Sequence, residues 1–563
     1  MVYVYLFEAK SIQTYLFRSG RLRDVIAASD RLDRLVDDNE ESILYAVLKA
    51  SDLSSDLVLK EGQGKPTIRF IRCKGGAFYA WSDERQALLA LRSLWTLTVT
   101  QLLPSLHFAD ALSQGHSLQE AMATGRASLA NDAQNHIITF PISTAICDHY
   151  QRSGGAAVPI TPLAKRATMG DEETRTALDL DTVRQREWYQ DKGLRTQLLY
   201  KFIPEPEELK RKVGYPINLE KFPFVEDDSK IETVVKDLAL IHIDGNGLGN
   251  LLKKIGVLLK PKTDEQYANA MRAFSNVVAE ATKMASQKAT TELCRHLNSE
   301  DLLPMRPLVL GGDDITVLCR ADLALGFSQS FCQEFEKQSE TRLATFYQQY
   351  QLMDKSLPAS LTASGGILYH KAGHPFTHSH HLVEGLCREA KNMTKQQESQ
   401  LAALAFYRLS RAVADDVVVL RENTQHVLLN DQRTIRLAQQ AYFIGEASPQ
   451  PNMNKLIKLA RMLSEPGHPL GINKWRQMST CLALGDKAEA DNIYQRAVQR
   501  LTQEQKENWE TALTDCHHHS STWYWRKEGQ LCCLLEDLLV VARFQPQESA
   551  VYGDVSSTYK EGI

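Results

Sequence analysis

The sequence predicts an α+β fold: two related α/β units, a connecting region between them and a helical tail. Three observations carry this reading. Residues 2–7 and 238–244 are rich in β-branched, aliphatic and aromatic side chains, which favours strands. Each is followed by a Gly-Gly pair, Gly75-Gly76 and Gly311-Gly312, set between apolar runs that read as β-hairpins turning at glycine. The spacing also repeats: Glu8 to Ala77 and Asp244 to Asp313 are both 69 positions, an offset of 236 between the halves at both ends.

Composition sets the outer bounds. At roughly 100–200 residues per domain, 563 residues make three or four domains. With 43% hydrophobic and 24% charged residues the chain is ordinary for a soluble globular protein, which excludes disordered, collagen-like and disulfide-scaffold classes. Lys and Arg (65) against Asp and Glu (69) give a net charge of −4, so no polycationic character points to nucleic acid. No apolar run approaches the ~20 residues that span a bilayer. The first residues lack the basic region of a signal peptide, and a cytoplasmic protein is expected. The ten cysteines include no C-x2-C and read as reduced core thiols.

In chain order, the first unit (1–141) takes the strand 2–7, the hairpin 71–81 and a helix over 84–103. Residues 142–235 are polar, with Ser153-Gly154-Gly155, several prolines and a mixed-charge helix over 172–197. They read as a connecting subdomain. The second unit (236–423) takes the strand 238–244, the hairpin 308–318, a helix over 322–337, a strand over 361–369 and a helix bearing Lys391. Residues 401–409 suit either a helix or a closing strand. The tail (424–563) is expected to be helical at 433–441, 454–464, 487–501 and 529–542. Leu531, Leu534, Leu535, Leu538 and Leu539 carry helical spacing in the last of these. Residues 545–563 are polar and are expected to be loose.

The chemistry concentrates in carboxylates. Asp244 ends a strand and is followed by Gly-Asn-Gly-Leu-Gly; Asp313 and Asp314 sit at the tip of the second hairpin. If that hairpin pairs beside the strand, the three meet at one sheet end. Strand alternation keeps Asp313 and Asp314 from facing the same way unless the glycines distort the backbone. Clustered carboxylates stay ionised only beside a compensating cation. All-oxygen ligands suit Mg²⁺ or Mn²⁺, and two such ions bridge triphosphate oxygens and activate a 3′-hydroxyl. The plain alternative is an Asp-rich turn. Apolar strands on both sides and the upstream Asp-ending strand weigh against it.

With these residues, the sequence resembles the large, palm-domain subunit of type III CRISPR effector complexes. Four stretches carry the resemblance: Ser11-Ile-Gln-Thr-Tyr-Leu-Phe with Gly20-Arg-Leu-Arg23 and Ala28-Ser29; Asp244-Gly-Asn-Gly-Leu-Gly249; Gly311-Gly-Asp-Asp314; and Leu361-Thr-Ala-Ser-Gly-Gly-Ile-Leu368 with Glu389-Ala-Lys391. The resemblance implies two ferredoxin-like palm (nucleotidyl cyclase/polymerase-like) domains, the second converting ATP into a cyclic oligoadenylate in antiviral defence. It implies Asp244, the Gly245 carbonyl, Asp313 and Asp314 as ligands of two Mg²⁺ or Mn²⁺ ions. Gly245, Gly311, Gly312, Ser364 and Lys391 would bind nucleotide, Ser364 at the base and Lys391 at the triphosphate; the plain alternatives are a small residue required by packing at Ser364 and a solvated lysine at Lys391. The first palm is degenerate, since Ala77 cannot bind metal. Backbone subunits with guide and target RNA are the implied partners.

The sequence departs from the family pattern in places. No His-Asp dipeptide occurs, so an HD nuclease is not implied. Only Cys147 and His149 stand where relatives carry four zinc cysteines. Asn246 replaces an Asp found in some members, and its side-chain oxygen is expected to orient a water. A GTP-using cyclic dinucleotide synthase is a rival reading, against which the hairpin lacks a Glu-Phe ending. A non-catalytic nucleotide-binding scaffold is the other. Elsewhere, Lys253 and Lys254 read as a solvated face. His370, His374, His378, His380 and His381 read as a polar loop. Arg18, Arg21, Arg23, Arg31 and Arg34 read as a salt-bridged helix face. Cys516-His-His-His519 with Cys532 and Cys533 lacks regular zinc spacing.

Overall fold

A computed structural model describes residues 1–59, 64–132, 144–168, 177–192, 197–204, 213–216, 237–296, 302–372, 374, 376–395, 401–410, 416–517 and 522–544. The first unit runs β1 (Val2–Lys10), α1 (Leu22–Asp33), β2 (Arg69–Lys74), β3 (Ala77–Ser82), α2 (Arg85–Leu102) and β4 (His107–Gly115). Its sheet has the order β2-β3-β1-β4, with β1 antiparallel to both neighbours, a ferredoxin-like arrangement. Residues 2–7 of β1 are apolar because both faces are covered there. Tyr5 and Phe7 lie in one core cluster, where Phe7 meets Trp95 of α2 edge-on at 5.3 Å between ring centres. Val4 and Leu6 point into the other.

Connecting helix α3 (Leu180–Lys192) docks on α1 through charge. Arg186 Nε donates to Asp24 at 3.2 Å and Trp188 Nε1 to Asp30 at 2.7 Å. The alternating charges of α1 therefore pair largely across elements rather than only along their own helix. Of the rest of the expected helix over 172–197, residues 177–179 precede α3, Gln197 opens a separate helix (Gln197–Phe202), and the others lie outside the described residues.

The second unit repeats the plan with β5 (Asp237–Gly245), α4 (Leu248–Leu258), α5 (Asp264–Leu293), β6 (Met305–Leu310), β7 (Asp314–Arg320), α6 (Ala321–Tyr350) and β8 (Ala363–Lys371). Helix α7 (Phe376–Lys395) and β9 (Ala403–Arg408) follow, so residues 401–409 hold a strand, parallel to β8. Beyond them lie α8 (Val417–Gln425), β10 (His426–Leu428), β11 (Thr434–Arg436) and β12 (Tyr442–Phe443). The sheet order is β12-β9-β8-β5-β7-β6, within which β6-β7-β5-β8 matches β2-β3-β1-β4 of the first unit. The second unit's sheet thus extends past residue 423. One apolar cluster joins Tyr5 and Phe7 of the first unit to Leu240, Leu308 and Leu368 of the second.

The tail departs from the all-helical expectation. Helices occupy Met453–Ser464, Ile472–Ala483, Lys487–Val498 and Gln503–His517. Residues 433–441 are not helical: β-branched Thr434 and Ile435 form β11, with Ile435 paired to Val427 on one side and Leu531 on the other. The expected helix over 529–542 splits into a strand, Gln530–Cys533, and a helix, α9 (Leu535–Phe544). Leu531 fits a helical stripe by spacing, but sheet pairing overrides it. No described helix is long and apolar enough to cross a membrane.

Close packing sets α7 on the sheet. A Cβ on Gly366 of β8 would lie 2.4 Å from the Val383 carbonyl oxygen and 2.7 Å from Leu386 Cβ. Neither atom can rotate away. Gly366→Ala is expected to cost about 1–3 kcal/mol by overpacking, read as a lower urea midpoint. An unchanged midpoint would mean that α7 is not seated this closely.

Candidate active site

Asp244 stands near the end of central strand β5, opposite Asp314 on β7 and Ser364 on β8. Directly opposed residues of antiparallel strands share a face, so Asp244 and Asp314 point the same way. Asp313 precedes β7 and escapes the strand alternation; its carbonyl accepts from Gly245 N at 3.2 Å. A Cβ on Gly245 would lie 3.1 Å from Asp313 Oδ2, and one on Gly311 would fall 1.7 Å from Asp314 Oδ1. Glycine at 311 is therefore needed for space rather than for an unusual φ. The Gly312 carbonyl accepts from Thr282 on α5 at 2.9 Å.

The same register corrects the alignment of the halves. Glu8 is opposite Ala77, as Asp244 is opposite Asp314, so Ala77 matches Asp314 and Gly76 matches Asp313. Glu8 binds Lys10 Nζ at 2.5 Å and accepts from the Tyr79 hydroxyl. Burial pushes its pKa up, but these two partners outweigh burial and hold it below the usual range. The first hairpin turns with Gly75 and Gly76 at φ 64° and 72°. A Cβ on Gly75 would sit 3.4 Å from Gly312 N, so the two hairpin tips touch. Beside them lies a cleft of about 260 Å³ lined by Lys74, Gly75, Lys283, Gly311 and Asp314.

Lys391 reaches from α7 to donate to Asp244 Oδ2 at 2.5 Å and to the Gly245 carbonyl at 2.8 Å. Burial, then the neighbouring Asp244 and Asp314 charges, raise Asp313 to about 8. Burial and Asp244 raise Asp314 to about 6, with Lys391 and Arg72 opposing. Arg72, on the first unit's β2, acts on both carboxyls. Sequence reasoning missed it because that unit lacks the carboxylates; its place just before Gly75 was the available signal. Among the described residues no three His, Cys, Asp or Glu side chains form a ready metal cage. The donors present are carboxylates and one carbonyl, the hard oxygens that Mg²⁺ shares with substrate phosphates rather than with an all-protein cage.

One sequence expectation changes here. Ser364 is fully buried, and its hydroxyl accepts from Asn246 Nδ2 at 2.9 Å and from Ala403 N at 3.2 Å. It fastens the Asp244 loop to β9 instead of offering itself to a base. Asn246 Nδ2 also donates to Thr362 Oγ1 at 3.0 Å and to the Leu401 carbonyl at 3.1 Å. A carbonyl only accepts, which fixes which end of the amide is nitrogen. Asn246 Oδ1 is buried without a protein partner.

His370 lies on β8 and His378, His380 and His381 on α7, not in a polar loop. Lys254 donates to the Ser356 carbonyl at 3.2 Å. Cys516, Cys532 and Cys533 are buried free thiols, while residues 518–519 lie outside the described residues.

Residues 237–399 match the family model described as Cas10/Cmr2, second palm domain. This segment is similar to a Cas10/Cmr2 second palm domain. The match starts at the first residue of β5 and takes in Asp244, Asp313, Asp314, Ser364 and Lys391, so the matched segment holds every sequence-predicted site residue. Among solved structures, a Csm1–Csm4 cassette in complex with cA3 is 10% identical, covering 97% of this chain and 70% of that one at a TM-score of 0.47. Csm1 of T. onnurineus is 11% identical over 97% and 70% at 0.44. A Csm1–Csm4 cassette with cA4 is 12% identical at 0.37; this chain covers 54% of that one, about half its length. No curated protein matches the sequence.

In the metal-free chain Asp313 and Asp314 hold protons more tightly than when unfolded. Their favourable protonation is intact below about pH 4 and is lost as pH rises through 6 and toward 8, so stability falls across that window. The pair Asp313→Ala with Asp314→Ala is expected to melt at or above the wild-type temperature, with the gap widening from pH 5 to pH 8. A large drop in melting temperature at all pH values would mark the pair as structural. Lys391→Met removes the ammonium that competes for Asp244 and Gly245. It is expected to tighten Mn²⁺ binding by about tenfold, roughly 1.4 kcal/mol, measured by electron paramagnetic resonance. Weaker Mn²⁺ binding would contradict this competition.

Proposed function

We propose that the palm domain is a metal-dependent nucleotidyltransferase that joins ATP into a cyclic oligoadenylate-type messenger in antiviral defence. The observation that carries this reading is the convergence of Asp244, Asp313 and Asp314 on one sheet end with Lys391 above them. Asp244, Asp313, Asp314 and the Gly245 carbonyl would hold one or two divalent ions. When bound, such ions lower the pKa of an attacking 3′-hydroxyl and stabilise charge on the α-phosphate. Lys391 would then leave Asp244 for the triphosphate, to which a lysine offers a mobile point charge. Gly311 keeps the approach to Asp314 free of side chain. Ser364 and Asn246 hold the Asp244 loop in register, a positioning task.

The first unit lacks the carboxylate pair and would complete the cleft, contributing Arg72 and the Gly75 turn next to the acceptor nucleotide. Backbone subunits with guide and target RNA would be the partners, as the palm family implies. A second reading has an observation of its own. Lys391 already occupies Asp244 and no metal cage is preformed among the described residues, which suits a scaffold that binds nucleotide without turnover.

The full chain, incubated with Mg²⁺ or Mn²⁺ and either ATP or GTP, separates these readings by product mass spectrometry. ATP is expected to yield 3′–5′-linked products and pyrophosphate. Asp313→Ala with Asp314→Ala should abolish turnover and Glu8→Ala should keep most of it. Consumption of GTP alone would favour a cyclic dinucleotide synthase, and nucleotide binding without product would favour the scaffold.

A further inference from the structure

Lys391 owes its place to α7, and α7 is gripped from the far side by one buried guanidinium. Arg421 lies on α8, with a side chain only 6% exposed, against Glu389 at 10%. Its Nε donates to both Glu389 oxygens at 3.1 and 3.0 Å. Nη1 donates to Gln425 Oε1 at 2.7 Å and to the Gln439 carbonyl at 3.4 Å. Nη2 donates to the Phe406 carbonyl on β9 at 3.2 Å and to the Gln440 carbonyl at 3.1 Å. All five N–H groups thus have an acceptor, and the acceptors come from α7, α8, β9 and the segment leading to β12. That segment is anchored in turn: Gln439 N and the Tyr442 hydroxyl donate to Asp537 on α9, at 2.7 and 2.5 Å.

A buried ion pair adds little net stability over apolar packing of the same volume. What a fully satisfied guanidinium does impose is one geometry, since any shift of α7 leaves buried donors unpaired. Glu389 precedes Lys391 by two residues, about 3 Å along the helix axis. We propose that Arg421 is a positioning residue: it sets the height of Lys391 over Asp244 and ties it to the C-terminal helix α9. The kinetic part rests on the nucleotidyltransferase reading; the mechanical part does not.

The full chain tests both. Arg421→Gln is compared with Arg421→Lys and with Leu538→Ala, a truncation of a fully buried α9 residue outside the network. Hydrogen exchange by mass spectrometry should quicken over 376–395 in Arg421→Gln, less so in Arg421→Lys, and not in Leu538→Ala. Turnover should fall on the order of 10–100-fold in Arg421→Gln, the scale of an ångström-level misplacement, with partial return in Arg421→Lys. Leu538→Ala should lower the melting temperature yet keep its turnover number. Unchanged exchange over 376–395 in Arg421→Gln overturns the proposal, as does an equal loss of turnover in Leu538→Ala. A wild-type chain that turns over no nucleotide defeats the enzymatic reading instead, and the exchange comparison still decides Arg421.

Discussion

Asp244 and Asp314 are opposed across an antiparallel pair, and that register determines what the site is. A slip of one residue would turn Asp244 to the other sheet face, away from Asp314 and Lys391. The register is held by apolar side chains with no part in chemistry. Leu238 and Leu240 enter the cluster shared with the first unit, while Ile241 and Ile243 enter the other. Because β5 is buried on both faces, a one-residue slip would leave its aliphatic residues covered but exchange them between the two clusters, at the cost of the fit in each. The carboxylates sit at the one end of the strand where the core stops.

The cost of that arrangement falls on the acids. Burial and mutual repulsion raise Asp313 and Asp314 well above ordinary carboxyls, although Lys391 and Arg72 are near. Glu8, at the matching place in the first unit, faces no second carboxylate and is satisfied by Lys10 and Tyr79. One half therefore keeps an electrostatic strain that the other has relaxed. Sites that hold strain of this kind draw their stability from elsewhere, here from the core common to both units. That shared core also means that neither unit is a free-standing piece.

Much of this was legible in the sequence, because strand ends, Gly-Gly turns and equal spacing are local signals. Asp244, Asp313 and Asp314 meet as the strand end and the hairpin suggested, whereas Lys391 came from the resemblance alone, as a triphosphate contact, and sits instead on Asp244 and Gly245. The one-residue error in matching Ala77 arose because spacing counts residues whereas pairing depends on turn shape, and the two turns differ. Of the two readings open for Ser364 the structure favours the packing one, and nothing local reveals that Asn246 and Ala403 consume its hydroxyl. Ile435 and Leu531 looked helical because their partners are nearly a hundred residues apart. Arg72 and Arg421 were invisible for a similar reason: each acts on groups far away in the chain.

The difference between the two hairpins bears on what a duplicated fold can recover. In the first, Gly75 and Gly76 both adopt left-handed backbone, a compact turn that leaves no residue in the posture of Asp313. In the second, neither Gly311 nor Gly312 does, and the turn opens so that a carboxylate can lean back on Gly245. Writing acids into the first hairpin would restore the letters without the shape. The backbone would have to be rebuilt against the Gly312 tip it touches. A pair of acids at a strand end thus depends on the turn as much as on the residues, and of these two turns only the open second one makes room for it.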